Sequence, residues 1–142
     1  MPLTDDDPCV AVLRRNLSVL LQALHAHPVA MVQVRYDGRQ GRCRHCEVSL
    51  LPSHSGAVLE TPVILQRLAA DAGGVSSPTM EERVSLGEGL KRFTLHWVSL
   101  QHGYWQRGDG GQGVMRLQVA SGLATLEHDA LTIEHFHATL AE

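Results

Sequence analysis

The sequence predicts an α+β fold, a two-layer sandwich in which two helices cover one face of an antiparallel sheet of four to six strands. Three observations carry that expectation. Two segments, Val10 to Leu24 and Leu86 to Tyr104, place apolar residues at helical spacing. The stretches that follow each of them alternate apolar and polar residues at strand spacing. Turn-forming residues, not long crossovers, separate those stretches, so the strands pair as hairpins and both helical stripes share one side. The expected order is α-β-β-(β)-α-β-β-(β), as a single domain over 142 residues.

The first helix opens with Asp7 as cap and Pro8 in the first turn, where a missing N–H costs nothing. Val10, Leu13, Leu17, Leu20, Leu21 and Leu24 form its apolar face, with Arg14, Arg15, Asn16 and Gln22 on the other side. Pro28 closes the segment. A strand runs from Val29 to Tyr36, turns at Asp37-Gly38, and is answered by a strand from Cys46 to Leu51. Ala57 to Leu65 holds a third strand, confined to an edge by Pro62. Gln66 to Ala70 reads equally as a strand end or a short helix, and Asp71 to Pro78 as a loop.

Thr79 followed by Glu82 has capping-box spacing and opens the long second helix, whose stripe is Leu86, Leu90, Phe93, Trp97, Leu100 and Tyr104. Gly87 and Gly89 inside it cost about 1 kcal/mol each relative to alanine and permit close packing. The glycines from Gly108 to Gly113 stop the helix. Val114 to Ala120 then pairs with Leu123 to His128 through a two-residue Ser121-Gly122 turn, which sets Val119 by Ala124 and Leu117 by Leu126. In the tail, Leu131 to Leu140, alternation favours a strand, with a helix as the alternative. Each half runs helix then hairpin, without residue-level repetition.

Composition bounds the function. Apolar residues make up 44% and charged residues 19%, with a net charge of -3, a globular balance that does not suit nucleic acid. The one basic cluster, Arg35, Arg39, Arg42 and Arg44, is local. The acidic start (Asp5, Asp6, Asp7) is unlike a secretory signal, and no apolar run approaches the roughly 20 residues that span a bilayer. Three cysteines, an odd count, do not suggest a secreted disulfide framework. A cytoplasmic chain is expected, without nucleic-acid or membrane partners.

Cys43-Arg44-His45-Cys46 has the spacing with which two thiolates share a zinc ion, and His45 and His54 are the nearby histidines that could join them. Only one such pair exists, whereas structural zinc sites generally show two. Cys46 as a small buried apolar residue is the simpler account. A thioredoxin-like role fails because no helix follows the pair. Ser53-His54-Ser55 is a loop tripeptide without the G-x-S-x-G elbow of a hydrolase. His128, His135 and His137 fit metal binding or pH sensing, but most simply a solvated strand.

The richest motif runs from His102 through Tyr104, Trp105, Asp109, Gly110 and Gly111 to Gly113. Phosphate loops precede a helix, and these glycines follow one, so the dipole points the wrong way for an anion. They fit a helix stop and loop instead. This stretch resembles the H-x-G-W-E-x-N-x-G-G-x-G pattern of a bacterial family of domains of unknown function. Tyr36-Asp37-Gly38 resembles that family's second motif, Y-D-G. Gln106 and Gly108 depart from its glutamate and asparagine, and the acidic residue expected after Gly38 is missing. Asp37 and Asp109 are the remaining carboxylates. The resemblance implies a fold and carries over no activity.

The expected function is therefore a non-catalytic binding or accessory domain without a cofactor. It acts on an unidentified protein partner, a second copy of the chain being one candidate. The candidate contact residues are Asp37, His102, Tyr104, Trp105, Asp109, Gly110, Gly111 and Gly113. The alternative is a zinc-binding protein using Cys43, Cys46, His45 and His54. An enzyme built on Asp37, Asp109 and His102 requires those three groups to converge.

Overall fold

The computed structural model describes residues 7–39, 42–52, 56–68, 79–102, 110–130 and 135–141. They form helices α1 (Pro8–His25), α2 (Gly56–Leu59) and α3 (Leu86–Gln101) and strands β1 (Met31–Arg39), β2 (Arg42–Leu51), β3 (Pro62–Leu68), β4 (Thr79–Ser85), β5 (Gly111–Gln118), β6 (Leu123–Ala130) and β7 (His135–Ala141). Five strands make one antiparallel sheet in the order β2-β1-β5-β6-β7, and among the described residues β3 pairs with β4 alone. The fold is α+β, as the sequence predicts.

Strand phase decides which side of the sheet is buried. Val32, Val34 and Tyr36 of β1 face the helices. Leu50, Met115 and Leu117 lie in register beside them, Ala124 and Leu126 one strand further on, and Leu140 two. These residues join Leu13, Leu17, Leu20 and Leu24 of α1 and Leu90, Phe93 and Trp97 of α3 in one core. Both long helices thus cover the same face. Asp7 caps α1 by accepting from Cys9 N at 2.8 Å, and Pro8 sits in the first turn, both as expected.

Several expectations change. The Thr79 to Glu82 stretch is strand β4, and α3 begins seven residues later with Ser85 as cap, its Oγ accepting from Glu88 N at 3.1 Å. Gly87 and Gly89 therefore lie in the first turn. Gly89 is a seat for β3, since a Cβ there would stand 3.1 Å from Leu20 and 3.2 Å from Leu65. The expected third strand starts only at Pro62, after the short α2, and stays out of the main sheet. It docks instead through Asn16, which is buried (6% exposed) and not on the solvent side of α1. Its side chain donates to Gln66 O at 2.9 Å and accepts from Gln66 N at 2.8 Å, as a neighbouring strand would.

Asp37-Gly38 is not a turn. β1 runs on to Arg39, and β2 carries a bulge opposite this point. The β5–β6 register is Gln118 to Leu123, with Leu117 opposite Ala124 and Met115 opposite Leu126, so the connection holds four residues where two were expected. Val119 leaves the ladder because its N–H bonds Ala30 O at 3.0 Å. The tail from His135 is a strand. The 71–78 loop, His54, Tyr104, Trp105 and Asp109 lie outside the described residues. No described helix is long and apolar enough to cross a membrane.

Candidate functional site

The two motifs read from the sequence meet at one end of the sheet. β1 pairs with β5 so that Tyr36 stands opposite Gly113, Asp37 opposite Gln112 and Gly38 opposite Gly111. β6 continues the rows with His128 opposite Gly113 and Asp129 opposite Gln112. The last turn of α3 brings His102 over the same end, its ring stacked on that of His128 with centroids 4.4 Å apart. The Tyr36 ring lies nearly parallel to that of His128 with centroids 5.8 Å apart, and its hydroxyl is hydrogen-bonded to His128 Nδ1 at 2.8 Å.

The glycines make this possible. A Cβ on Gly111 would stand 2.6 Å from His128 Cε1, and one on Gly113 would meet the Tyr36 hydroxyl and the Glu127 carbonyl closer still. Any side chain at Gly113 would collide with backbone, which cannot rotate away. Gly110 has a φ of 82°, a left-handed conformation that glycine alone adopts freely. The space at Gly111 and Gly113 is thus filled by two rings of the same protein.

Burial sets the charge state here. Tyr36 and His128 are each 2% exposed. Burial, reinforced by neighbouring His102 and partly offset by Asp129, pushes the His128 imidazole down to about 4. Burial, helped by the Asp129 charge, pushes the Tyr36 phenol well above its usual range. Both are neutral at pH 7, and neither titrates near it. That is the reverse of the tuning a general acid or base requires.

Asp37 does not join this cluster. Being one residue from Tyr36, it occupies the opposite face, in a cross-strand row with His45, Gln112 and Asp129.

The cysteines behave differently from a flat strand. Residues three apart normally point to opposite faces. The bulge skips Arg44, so that Cys43 pairs with Gly38 and Cys46 with Tyr36, and both fall on the helix side. The thiols interact with each other. Burial, with Cys43 adding to the effect, pushes the Cys46 thiol up to about 11. His45 points the other way, its Nε2 3.3 Å from Glu47 on the open face. Among the described residues no three His, Cys, Asp or Glu side chains are grouped to hold a metal ion.

Of the sequence candidates, the structure unites His102 with Gly111 and Gly113 and joins Cys43 to Cys46, with the Cys43 thiol also donating to the His45 carbonyl at 3.4 Å and lying within reach of Asp37. Sequence reasoning placed His128 on a solvated strand, whereas it is buried (2% exposed) on the helix side, and it missed the polar role of Tyr36. The available signal was register: a polar residue in an otherwise apolar phase, after Ala124 and Leu126.

The chain belongs to the family of unknown function DUF6878, whose profile matches residues 12–139. No curated protein and no solved structure matches it.

Proposed function

We propose that this member of the family is a non-catalytic binding domain that acts through protein–protein contacts on the open face of its five-stranded sheet. A second copy of the chain is the first partner to test. One observation supports the non-catalytic reading above others: the described glycines Gly111 and Gly113 are occupied by His128 and Tyr36, both buried and neutral. A motif used up in packing is accounted for without a substrate.

The open face supplies the contact chemistry. No described helix packs on it. Its central row reads Glu47, Arg35, Val114, Glu127 and His137 across the five strands. Arg116 in the next row reaches Glu127 at 3.1 Å. Opposite charges side by side on an exposed sheet face, Arg35 by Glu47 and Arg116 by Glu127, suit an isologous contact, in which one patch meets its own copy. Sedimentation velocity across a wide concentration range tests it. A dimer is expected, weakened by added salt and by Arg35→Glu. A chain that stays monomeric throughout counts against self-association.

The bulge favours a second reading, zinc held by Cys43 and Cys46 with further donors from elsewhere. Stoichiometric zinc in purified, untagged protein, lost in Cys43→Ser, would support it and displace the first. Trace metal and a melting temperature unmoved by chelator would remove it.

A further inference from the structure

The β3–β4 hairpin is fixed to the helices at two places, and the helices and hairpin do not close beside the second. Gly89 seats Val63 and Leu65, and Asn16 grips the Gln66 backbone. Next to that grip, α1, α3 and the hairpin surround a cleft of about 310 Å³. Ligand pockets begin at about this size, and an apolar cavity of about 150 Å³ holds one benzene.

The lining has two parts. Val12, Leu65 and the Cys9 thiol make an apolar wall. Polar groups stand at the mouth: Arg67, Glu82 and Arg92 line it, Glu88 pairs with Arg92, and Asp7 lies beside Cys9, so no net positive charge surrounds the cleft and the favourable donor is the Arg67 guanidinium itself. Arg92 is committed, bound to Glu82 and, at 3.4 Å, to Glu88. Arg67 has only a 3.8 Å contact from Nε to Glu82, so among the described residues its terminal nitrogens keep their donors. His96 also lines the cleft and makes no hydrogen bond among the described residues. Burial lowers its pKa, leaving a neutral ring with one donor and one acceptor.

We infer that this cleft binds a small monocarboxylic acid of roughly ten non-hydrogen atoms, its hydrocarbon body between Val12 and Leu65 and its carboxylate toward Arg67. With Glu82 and Glu88 both held by Arg92, the Arg67 guanidinium is the group that would separate an anionic head from a cationic one. This site is separate from the sheet face and from the glycine motif.

Three probes with the same chain, octanoate, octanol and octylammonium, are titrated into the ¹⁵N-labelled full chain and followed by amide shifts. Octanoate is expected to move Val12, Asn16, Leu65 and His96, and octylammonium to leave them in place. Arg67→Gln should weaken octanoate roughly threefold, the scale of a solvent-exposed charge contact, without changing octanol. Cys9→Trp fills the cleft from its apolar wall and should abolish both, with its melting curve checking the fold. Val12→Phe serves if that variant does not fold. Three results would overturn the inference: no shifts with any probe, octylammonium binding as tightly as octanoate, or shifts that persist in the filled variant.

Discussion

At the level of single residues, the decisive contacts are those of Gly111, Gly113, Tyr36 and His128. Gly113→Ala is expected to cost about 3 kcal/mol or more, because the new methyl meets the Glu127 carbonyl and the Tyr36 ring, and Gly111→Ala somewhat less. Gly56→Ala, with nothing within 4 Å of the added carbon, should be neutral or slightly stabilising. Urea unfolding of the three variants checks the order. His128 gives a pH dependence of definite sign. Its pKa is near 6.5 in the unfolded chain and about 4 in the folded one, so the unfolded chain takes up the proton first as pH falls. The stability carried by the neutral ring is complete above pH 6.5 and is lost towards pH 4, on the order of 3 kcal/mol in all. His96, lowered in the same direction, adds to that slope. His128→Gln should flatten the fall in urea midpoint without removing it. The glycines were legible in the sequence as special. Why they were special was not, because their neighbours in space come from β1 and β6.

Among the elements, local signals located most and misassigned a few. The stripe from Leu86 to Trp97 placed α3, but two capping-box spacings precede it, Thr79 with Glu82 and Ser85 with Glu88. The second prevails because the apolar period begins at Leu86, directly after Ser85. Ser85→Ala should cost about 1 kcal/mol, whereas Thr79→Ala should cost little. Thermal melts of the pair distinguish the two starts. Asn16 was misread for a different reason: a polar residue near the apolar stripe of a helix is ordinarily solvated, and nothing local announces that Gln66 will be docked on it. Asn16→Ala removes two hydrogen bonds from a part-buried strand and is expected to cost roughly 2 kcal/mol. Amide exchange at Gln66 should rise in parallel. The Cys43 and Cys46 spacing was visible, but their shared side depends on a bulge that the residues alone did not reveal.

Across the whole molecule, the helix-covered sheet was readable from two periods and a few turns, while the detached β3–β4 hairpin was not. Alternation shows that a segment is a strand, not which sheet receives it. The hairpin is held by side chains and one strand pairing, whereas β1 and β5 each have a strand on both sides. Native-state amide exchange is therefore expected to release Val63, Leu65 and Val84 by partial opening, at lower free energy than Val34 and Met115. Equal protection of the two sets would contradict this. The strand order has a further outcome for biosynthesis. β1 is made early and can zip to β2 at once, yet its other neighbour is β5, which follows α3. A ribosome that has delivered everything through α3 leaves β1 with one bare edge and the helices with half a floor. The nascent N-terminal portion must wait for the final segment before it can lock, and slow closure of such distant pairs makes that interval the time of greatest exposure to aggregation.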